Sequence, residues 1–420
     1  MAAPRVAVDL PSIEDRWLAA ARLVAESRDV LDGRPGGRGG ELPEAIVARG
    51  WAPFLLSLDD AELDMLEIAG LAAVWPVRAP ATLRTLAARA QGVCSLPSFT
   101  SPAASEVALR RGETPRKHAQ IEAFGHLVAP LAARAGRVVD VGSGHGHLTR
   151  EVARRSSAPV VGLERDAALA GRARALSTSS APPTFAVADV LGEGLALRAG
   201  DCVIGLHACG ELGDVMVESV ARTPGATLVL VGCCLQKRRG PSRRALCAPD
   251  GLAKALDLPR GLLGLSNLAA SDEGVEATRA RNLVARERRL ALNHLLSDGA
   301  PLRLGAELAG LNRRTAHLEL PELAERAFAV RGWPAPSPQA VAGAAAWARV
   351  AHSRARRLSV PRAMLARVLE VYVLLDRAVH LEEHGLTAEL GELFPARVSP
   401  RNLALVATPG AAGGARPTPT

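Results

Sequence analysis

A strand pattern that runs straight into three alternating glycines constrains this chain more than any other feature. Val138-Val139-Asp140-Val141 leads into Gly142-Ser143-Gly144-His145-Gly146, and a helix-like pattern opens with His147-Leu148-Thr149. That order reads as a buried strand, a tight turn and a helix N-terminus. Glycine leaves the turn free of side chains, so a ligand can approach its backbone. Asp140 stands two residues before the first glycine, where the common dinucleotide loop is apolar. A carboxylate there favours a cationic ligand. S-adenosylmethionine carries an ammonium and a sulfonium, so the loop points to a methyltransferase and away from a nicotinamide oxidoreductase.

Four further strand patterns follow, with helical stretches between them. Val160 to Glu164 is the second and ends in an acid. In a Rossmann-like fold that position hydrogen-bonds ribose hydroxyls. Phe185 to Val190 is the third, and its Asp189 is placed to meet the adenine amino group. Cys202 to His207 and Ala226 to Gly232 are the fourth and fifth. Strands alternating with helices build a parallel sheet. The expected cofactor residues are therefore Asp140, Gly142, Ser143, Gly144, His145, Gly146, Glu164 and Asp189. The expected fold class is α/β, a class I methyltransferase Rossmann-like seven-stranded sheet with an N-terminal helical region and a helical insertion after strand five.

Residues 1–111 read as that N-terminal region. Ser12 with Asp15 opens one helix and Ser57 with Asp60 another, and residues 33–40 form a glycine- and arginine-rich loop. Pro115 starts a helix that enters the core. It carries Lys117 and His118 early, where they would cover the cofactor. Residues 112–235 are the cofactor-binding half of the core and 236–360 the helical insertion, with helices at 276–296, 322–330 and 339–358. Residues 361–408 return to the core through a helix around Tyr372 and strands at 388–394 and 402–407. Residues 409–420 read as a disordered tail.

The chain has 420 residues, 48% hydrophobic and 22% charged, which suits a large soluble protein. No apolar run is long enough to span a membrane and no secretory leader pattern opens the sequence, so a cytoplasmic location is expected. The cysteines Cys94, Cys202, Cys209, Cys233, Cys234 and Cys247 show no paired framework or Cys-x-x-Cys spacing. Free thiols and no metal are expected, although Cys209, Cys233, Cys234 and His207 could lie close in space. The net charge of +8 suits a nucleic-acid partner. Yet of 51 basic residues only Lys117, Lys237 and Lys254 are lysines, and such an arginine excess also follows from a GC-rich genome.

A resemblance to a known family rests on longer segments. Gly205-Leu206-His207-Ala208-Cys209-Gly210-Glu211-Leu212, then Gly232-Cys233-Cys234, then Ser399-Pro400-Arg401-Asn402-Leu403-Ala404-Leu405-Val406-Ala407 resemble the methyltransferase-like protein 25B family, also called ribosomal RNA adenine dimethylase domain-containing proteins. Pro115-Arg116-Lys117-His118, Leu374-Leu375-Asp376-Arg377 and Gly50-Trp51-Ala52-Pro53-Phe54-Leu55 extend it over most of the chain. The resemblance implies a class I methyltransferase using S-adenosylmethionine, with Asp140, Gly142, Gly144 and Gly146 as cofactor loop and Glu164 as ribose contact. A similar His-x-Cys-Gly and Cys-Cys pairing in enzymes that methylate the 2′-hydroxyl of tRNA acceptor stems points by analogy to RNA. Leu235 departs from the aromatic that such proteins carry after Gly-Cys-Cys.

Methyl transfer needs an aligned nucleophile and little else. The catalytic candidates, at the ends of strands four and five, are His207, Cys209, Asp214, Cys233 and Cys234. His207 is suited to act as general base. Residues 236–244, rich in arginine, suit phosphate contacts. The sequence lacks the Asn/Asp-Pro-Pro-aromatic pattern of adenine N6 chemistry. The expected function is methyl transfer to a macromolecule, RNA (tRNA or rRNA) first. A protein substrate, or a non-catalytic RNA- or protein-binding member of the fold, is the alternative.

Overall fold

The computed structural model describes residues 11–33, 42–99, 113–177, 182–247, 256–267, 276–297, 302 and 305–410. Most of the expected loop at 33–40 and nearly all of the tail from 409 on lie outside these residues. The chain divides into two compact units, one made of Met1–Glu26, Ala90–Ala270 and Ala366–Thr420, the other of Ser27–Arg89 and Ser271–Leu365.

The first unit is built on a seven-stranded sheet. Its strands are β1 (Arg137–Val141), β2 (Val160–Glu164), β3 (Thr184–Val187), β4 (Asp201–Cys209), β5 (Thr227–Cys233), β6 (Leu386–Glu392) and β7 (Leu403–Pro409). The order is β3-β2-β1-β4-β5-β7-β6. β1 to β5 run parallel, while β7 is antiparallel to both β5 and β6. The strand order reverses between β1 and β4, so a crevice opens at their carboxyl ends, where open α/β sheets bind ligands.

Apolar runs make this possible. Val138, Val139, Ile204, Val229 and Val231 are buried, and Ile121, Phe124 and Val128 of helix α1 (Pro115–Ala132) pack onto them. Thr114 caps α1: its hydroxyl accepts from the Lys117 amide at 3.3 Å, with Pro115 in the first turn. The cap fixes where the chain enters the crevice. Helix α2 (His147–Arg155) follows the glycine loop, and α3 (Glu211–Ala221) follows β4.

The helices expected at 339–358 and around Tyr372 are one helix, Pro338–Glu383, which carries Pro361 inside it. The proline removes one backbone donor, yet the helix continues because Leu365, Val368, Leu369, Tyr372 and Leu375 beyond it are buried. Trp17 of the helix Ile13–Glu26 stacks on Tyr372, ring centroids 6.3 Å apart.

The second unit is helical. Leu292, Leu296, Leu323, Ala324, Ala327, Ala344 and Ala348 form its core. Arg279 and Arg356 share the carboxylates of Asp64 and Glu67 at 2.5 to 2.8 Å. The helix expected to start with Ser57 and Asp60 begins two residues beyond that pattern: Asp59 is the cap and Glu62 closes the capping box. No described helix is long and apolar enough to cross a membrane.

Candidate functional site

The loop after β1 is pinned before it meets any ligand. The amides of Gly142 and Ser143 donate to Leu163 O at 2.9 and 3.0 Å, tying the loop to the end of β2. Gly146, the N-cap of α2, has a left-handed backbone, and a Cβ there would come within 2.4 Å of the Phe185 ring. Gly144 has φ +55, and a Cβ there would meet nothing within 4 Å. Any side chain at Gly144 would stand in open space that a ligand can use.

Asp140 is buried at the end of β1 and accepts from Thr149 Oγ1 at 2.6 Å. Burial pushes its carboxyl up to about 7, against the pull of the Thr149 hydroxyl. Such a group wants a cation beside it. Glu164 closes β2. Its Oε2 accepts from the Gly144 amide at 2.9 Å and its Oε1 from the Asp166 amide at 3.0 Å. The second-strand acid therefore reaches the glycine loop directly.

A cavity of about 420 Å³ lies over this loop, within the size range of small-molecule sites. Asp140, Gly142, Ser143, Gly144 and His145 form one side, Thr114, Lys117, Gln120 and Ile121 of the α1 end another, and Leu206 and His207 of β4 a third. Ser143 Oγ is buried there without a hydrogen-bond partner. His118 does not line the cavity. Its Nδ1 lies 3.0 Å from Glu113, whose other oxygen is 3.2 Å from His147 Nδ1. His118 thus supports the wall through Glu113. Lys117 faces the cavity and its ammonium is lowered, chiefly by burial.

His207 occupies an unusual backbone position. The β4–β5 register shifts between Leu206 and Ala208, and His207 at that irregularity has φ +66. A bulge at a strand end re-aims a side chain. The Gln120 amide donates to Val398 O at 3.3 Å, which leaves Gln120 Oε1 facing His207 Nε2 at 2.9 Å. Nε2 therefore carries the proton and Nδ1 the lone pair. Burial, then the nearby Arg116 and Arg401, lower the ring to about 4, so it is neutral near pH 7. Gln120 was not singled out in the sequence. Its signal is its spacing, three residues after Lys117 and hence one turn along the same helix.

Three of the expected catalytic residues, the thiols, form a separate cluster. Cys209 Sγ is 2.9 Å from Cys233 Sγ, and the Cys209, Cys233 and Cys234 sulfurs lie within 4.8 Å of one another. They do not line the cavity. The hydrogen bond from Cys233, then the Lys237 ammonium, hold the Cys209 thiol down at about 6, and Cys233 is raised in turn by the same bond and by burial.

Asp214 is a correction. It sits in α3, buried, and accepts from Arg238 at 2.7 Å, Arg243 at 3.1 Å and Arg377 at 2.9 Å. These arginines hold its carboxyl far below the usual range despite burial. An acid locked into three cations serves the fold, and it does not line the cavity over the glycine loop. The same network uses up most of the expected phosphate loop. Arg238 and Arg243 belong to Asp214, and Arg239 bonds Asp189 at 3.3 Å and Leu191 O at 2.8 Å. Asp189 itself follows β3 and is half-exposed beside Arg239, outside the cavity wall. Arg377 explains two glycines: a Cβ at Gly213 or Gly232 would come within 2.9 Å of its guanidinium.

Residues 116–240 match a family described as a methyltransferase domain. Among solved structures the chain is similar to a TehB-like S-adenosylmethionine-dependent methyltransferase from Corynebacterium glutamicum, at 15% identity over 26% of this chain and 61% of that one, TM-score 0.22. It is also similar to a putative Haloferax volcanii methyltransferase solved with the Trm112 methyltransferase activator, at 25% identity over 25% and 48%, TM-score 0.22. A third likeness is to magnesium protoporphyrin IX methyltransferase from Synechocystis with bound S-adenosylmethionine, at 18% identity over 29% and 65%, TM-score 0.23. The chain spans less than two thirds of the length of each. The strand order and the domain match agree on the class: residues 116–240 match a methyltransferase domain and carry the parallel strands of a Rossmann-like sheet.

Proposed function

We propose that the chain is an S-adenosylmethionine-dependent methyltransferase acting on RNA. One observation carries the catalytic part: a buried acid under an open glycine turn shares a single cavity with a neutral, oriented histidine. The cavity fits the cofactor on three counts. Gly144 leaves space that a Cβ would fill, Ser143 Oγ lacks a partner, and Asp140 offers a carboxylate to a cation. Asp140, the loop amides and Glu164 would hold the cofactor, and Lys117 would face its carboxylate.

When bound, the cofactor supplies an electrophilic methyl group. His207 receives the proton of the attacking nucleophile on Nδ1, because Gln120 keeps the other ring nitrogen protonated. Leu206 and Ile121 give the cavity an apolar wall beside His207. Cys209, Cys233 and Cys234 are not needed as nucleophiles.

RNA as substrate is supported by the net charge of +8 and by the resemblance to the methyltransferase-like protein 25B family at residues 205–212, 232–234 and 399–407. The loop at 236–244 adds less than its composition suggests, since Arg238, Arg239 and Arg243 bond acids of the chain itself. The test is transfer of tritiated methyl from S-adenosylmethionine to total RNA and to total protein, with His207→Asn alongside. Label in RNA that falls about a hundredfold in the variant supports the proposal. Label in protein alone overturns the substrate, and label in neither overturns the activity.

A further inference from the structure

We propose that Cys209, Cys233 and Cys234 bind one thiophilic divalent cation of the zinc class. Sheet pairing assembles the site. Cys209 ends β4, Cys233 ends β5, and the two are in-register partners on neighbouring strands. Cys234 follows with φ +43, a left-handed backbone that turns the chain back at the strand end. The three sulfurs converge within 4.8 Å of one another.

The donor set suits a soft cation and little else among biological metals. Thiolates about 2.3 Å from a tetrahedral zinc stand roughly 3.8 Å apart, inside the spread of this cluster. Cys209 and Cys233, now 2.9 Å apart, would separate by under an ångström. Three protein ligands leave the fourth position to water.

Charge and scaffold agree. Three thiolates and a dication leave one negative charge, and Lys237 Nζ lies 3.8 Å from Cys209 Sγ to balance it. The strand ends are already tied together: Gly210 N donates to Cys233 O at 2.9 Å and Lys237 N to Cys234 O at 2.8 Å. Cys209 and Cys234 are only partly buried, so a cation has a way in. Binding displaces the thiol protons that remain and releases them. The contacts of Cys209 Sγ and Cys233 Sγ with His207 O, at 3.3 and 3.4 Å, would be given up. The site adjoins the residue that the proposed reaction uses as base but does not depend on that reaction.

The test uses the full chain, reduced, stripped with a chelator and reloaded with Zn²⁺ or Co²⁺. One equivalent of zinc per chain is expected, with a sulfur-to-cobalt charge-transfer band and strong tetrahedral visible bands for cobalt. Cys209→Ser and Cys234→Ser should each lower affinity at least a hundredfold with circular dichroism unchanged, whereas Cys94→Ser and Cys247→Ser should keep full loading. Wild-type protein whose Cys209, Cys233 and Cys234 thiols still react with a disulfide reagent in excess zinc overturns the proposal. So does a resting mass two hydrogens light from a Cys209–Cys233 disulfide. Metal loading with no methyl transfer would leave this site standing while removing the catalytic reading.

Discussion

His207 Nε2 meets Gln120 Oε1 at 2.9 Å, joining the last turn of a strand to the first turns of a helix 87 positions earlier in the chain. The bond decides which histidine nitrogen is basic. It also ties His207 to the wall that carries Lys117, so one helix joins two sides of the cavity.

Breaking that bond should slow transfer without loosening the fold. Gln120→Ala should lower kcat about tenfold and leave S-adenosylmethionine affinity within about threefold. His207→Asn, which tolerates the left-handed backbone, should cost about a hundredfold in kcat. Steady-state kinetics of both variants check this.

Asp140 should make cofactor affinity depend on pH. Its folded carboxyl titrates at about 7, and a cationic ligand binds best when it is ionised. Affinity should rise about tenfold from pH 6 to pH 8, and Asp140→Asn should flatten the profile. Stability runs the other way in the apoprotein. A raised folded pKa stabilises at pH below the unfolded value and loses that contribution as pH rises through about 7, so the Asp140→Asn apoprotein should be the less pH-sensitive in thermal unfolding.

Asp214→Asn should unfold the core rather than silence the site. It would leave Arg238, Arg243 and Arg377 without their shared carboxylate, and breaking such a buried network costs about 3–5 kcal/mol. Because the folded carboxyl is depressed, wild-type stability from this network is present above the ordinary carboxylate pKa near 4 and lost as pH falls below it. Denaturant titration at pH 7 and at about pH 2 should show the variant's deficit shrinking at the lower pH.

Gly144→Val should abolish cofactor binding with little global cost. The position is left-handed, worth about 1–2 kcal/mol against a side chain, and the new methyls would stand in the cavity. Calorimetry and a melting curve on the same sample separate the two effects.

The parallel half of the sheet was legible because four of its five strands are short apolar runs that run into Gly or an acid, so Asp140 and Glu164 could be numbered as strand ends before any geometry. The last two strands were legible in existence but shifted, β6 starting at Leu386 and β7 ending at Pro409, because antiparallel edge pairing sets those limits. Asp214 misled because one acid beside an active-site loop looks the same whether it faces solvent, substrate or three arginines. Arg377 lies 163 positions away, and no local pattern announces it. The nearness of Cys209, Cys233 and Cys234 was legible only as a possibility raised by their places at two strand ends, because strand pairing brings them together and linear Cys-x-x-Cys spacing does not record it. The grouping of residues 27–89 with 271–365 in one unit also rests on long-range contacts with no sequence signature.

The proposed function stands or falls on whether the glycine turn above Asp140 holds S-adenosylmethionine. Isothermal titration calorimetry of the full chain with S-adenosylmethionine, with NAD as competitor and Asp140→Ala and Glu164→Ala as controls, tests it most directly. One site of micromolar affinity is expected, indifferent to NAD and lost in both variants. Wild-type protein that binds no S-adenosylmethionine, or that binds it equally well without Asp140 and Glu164, would contradict it.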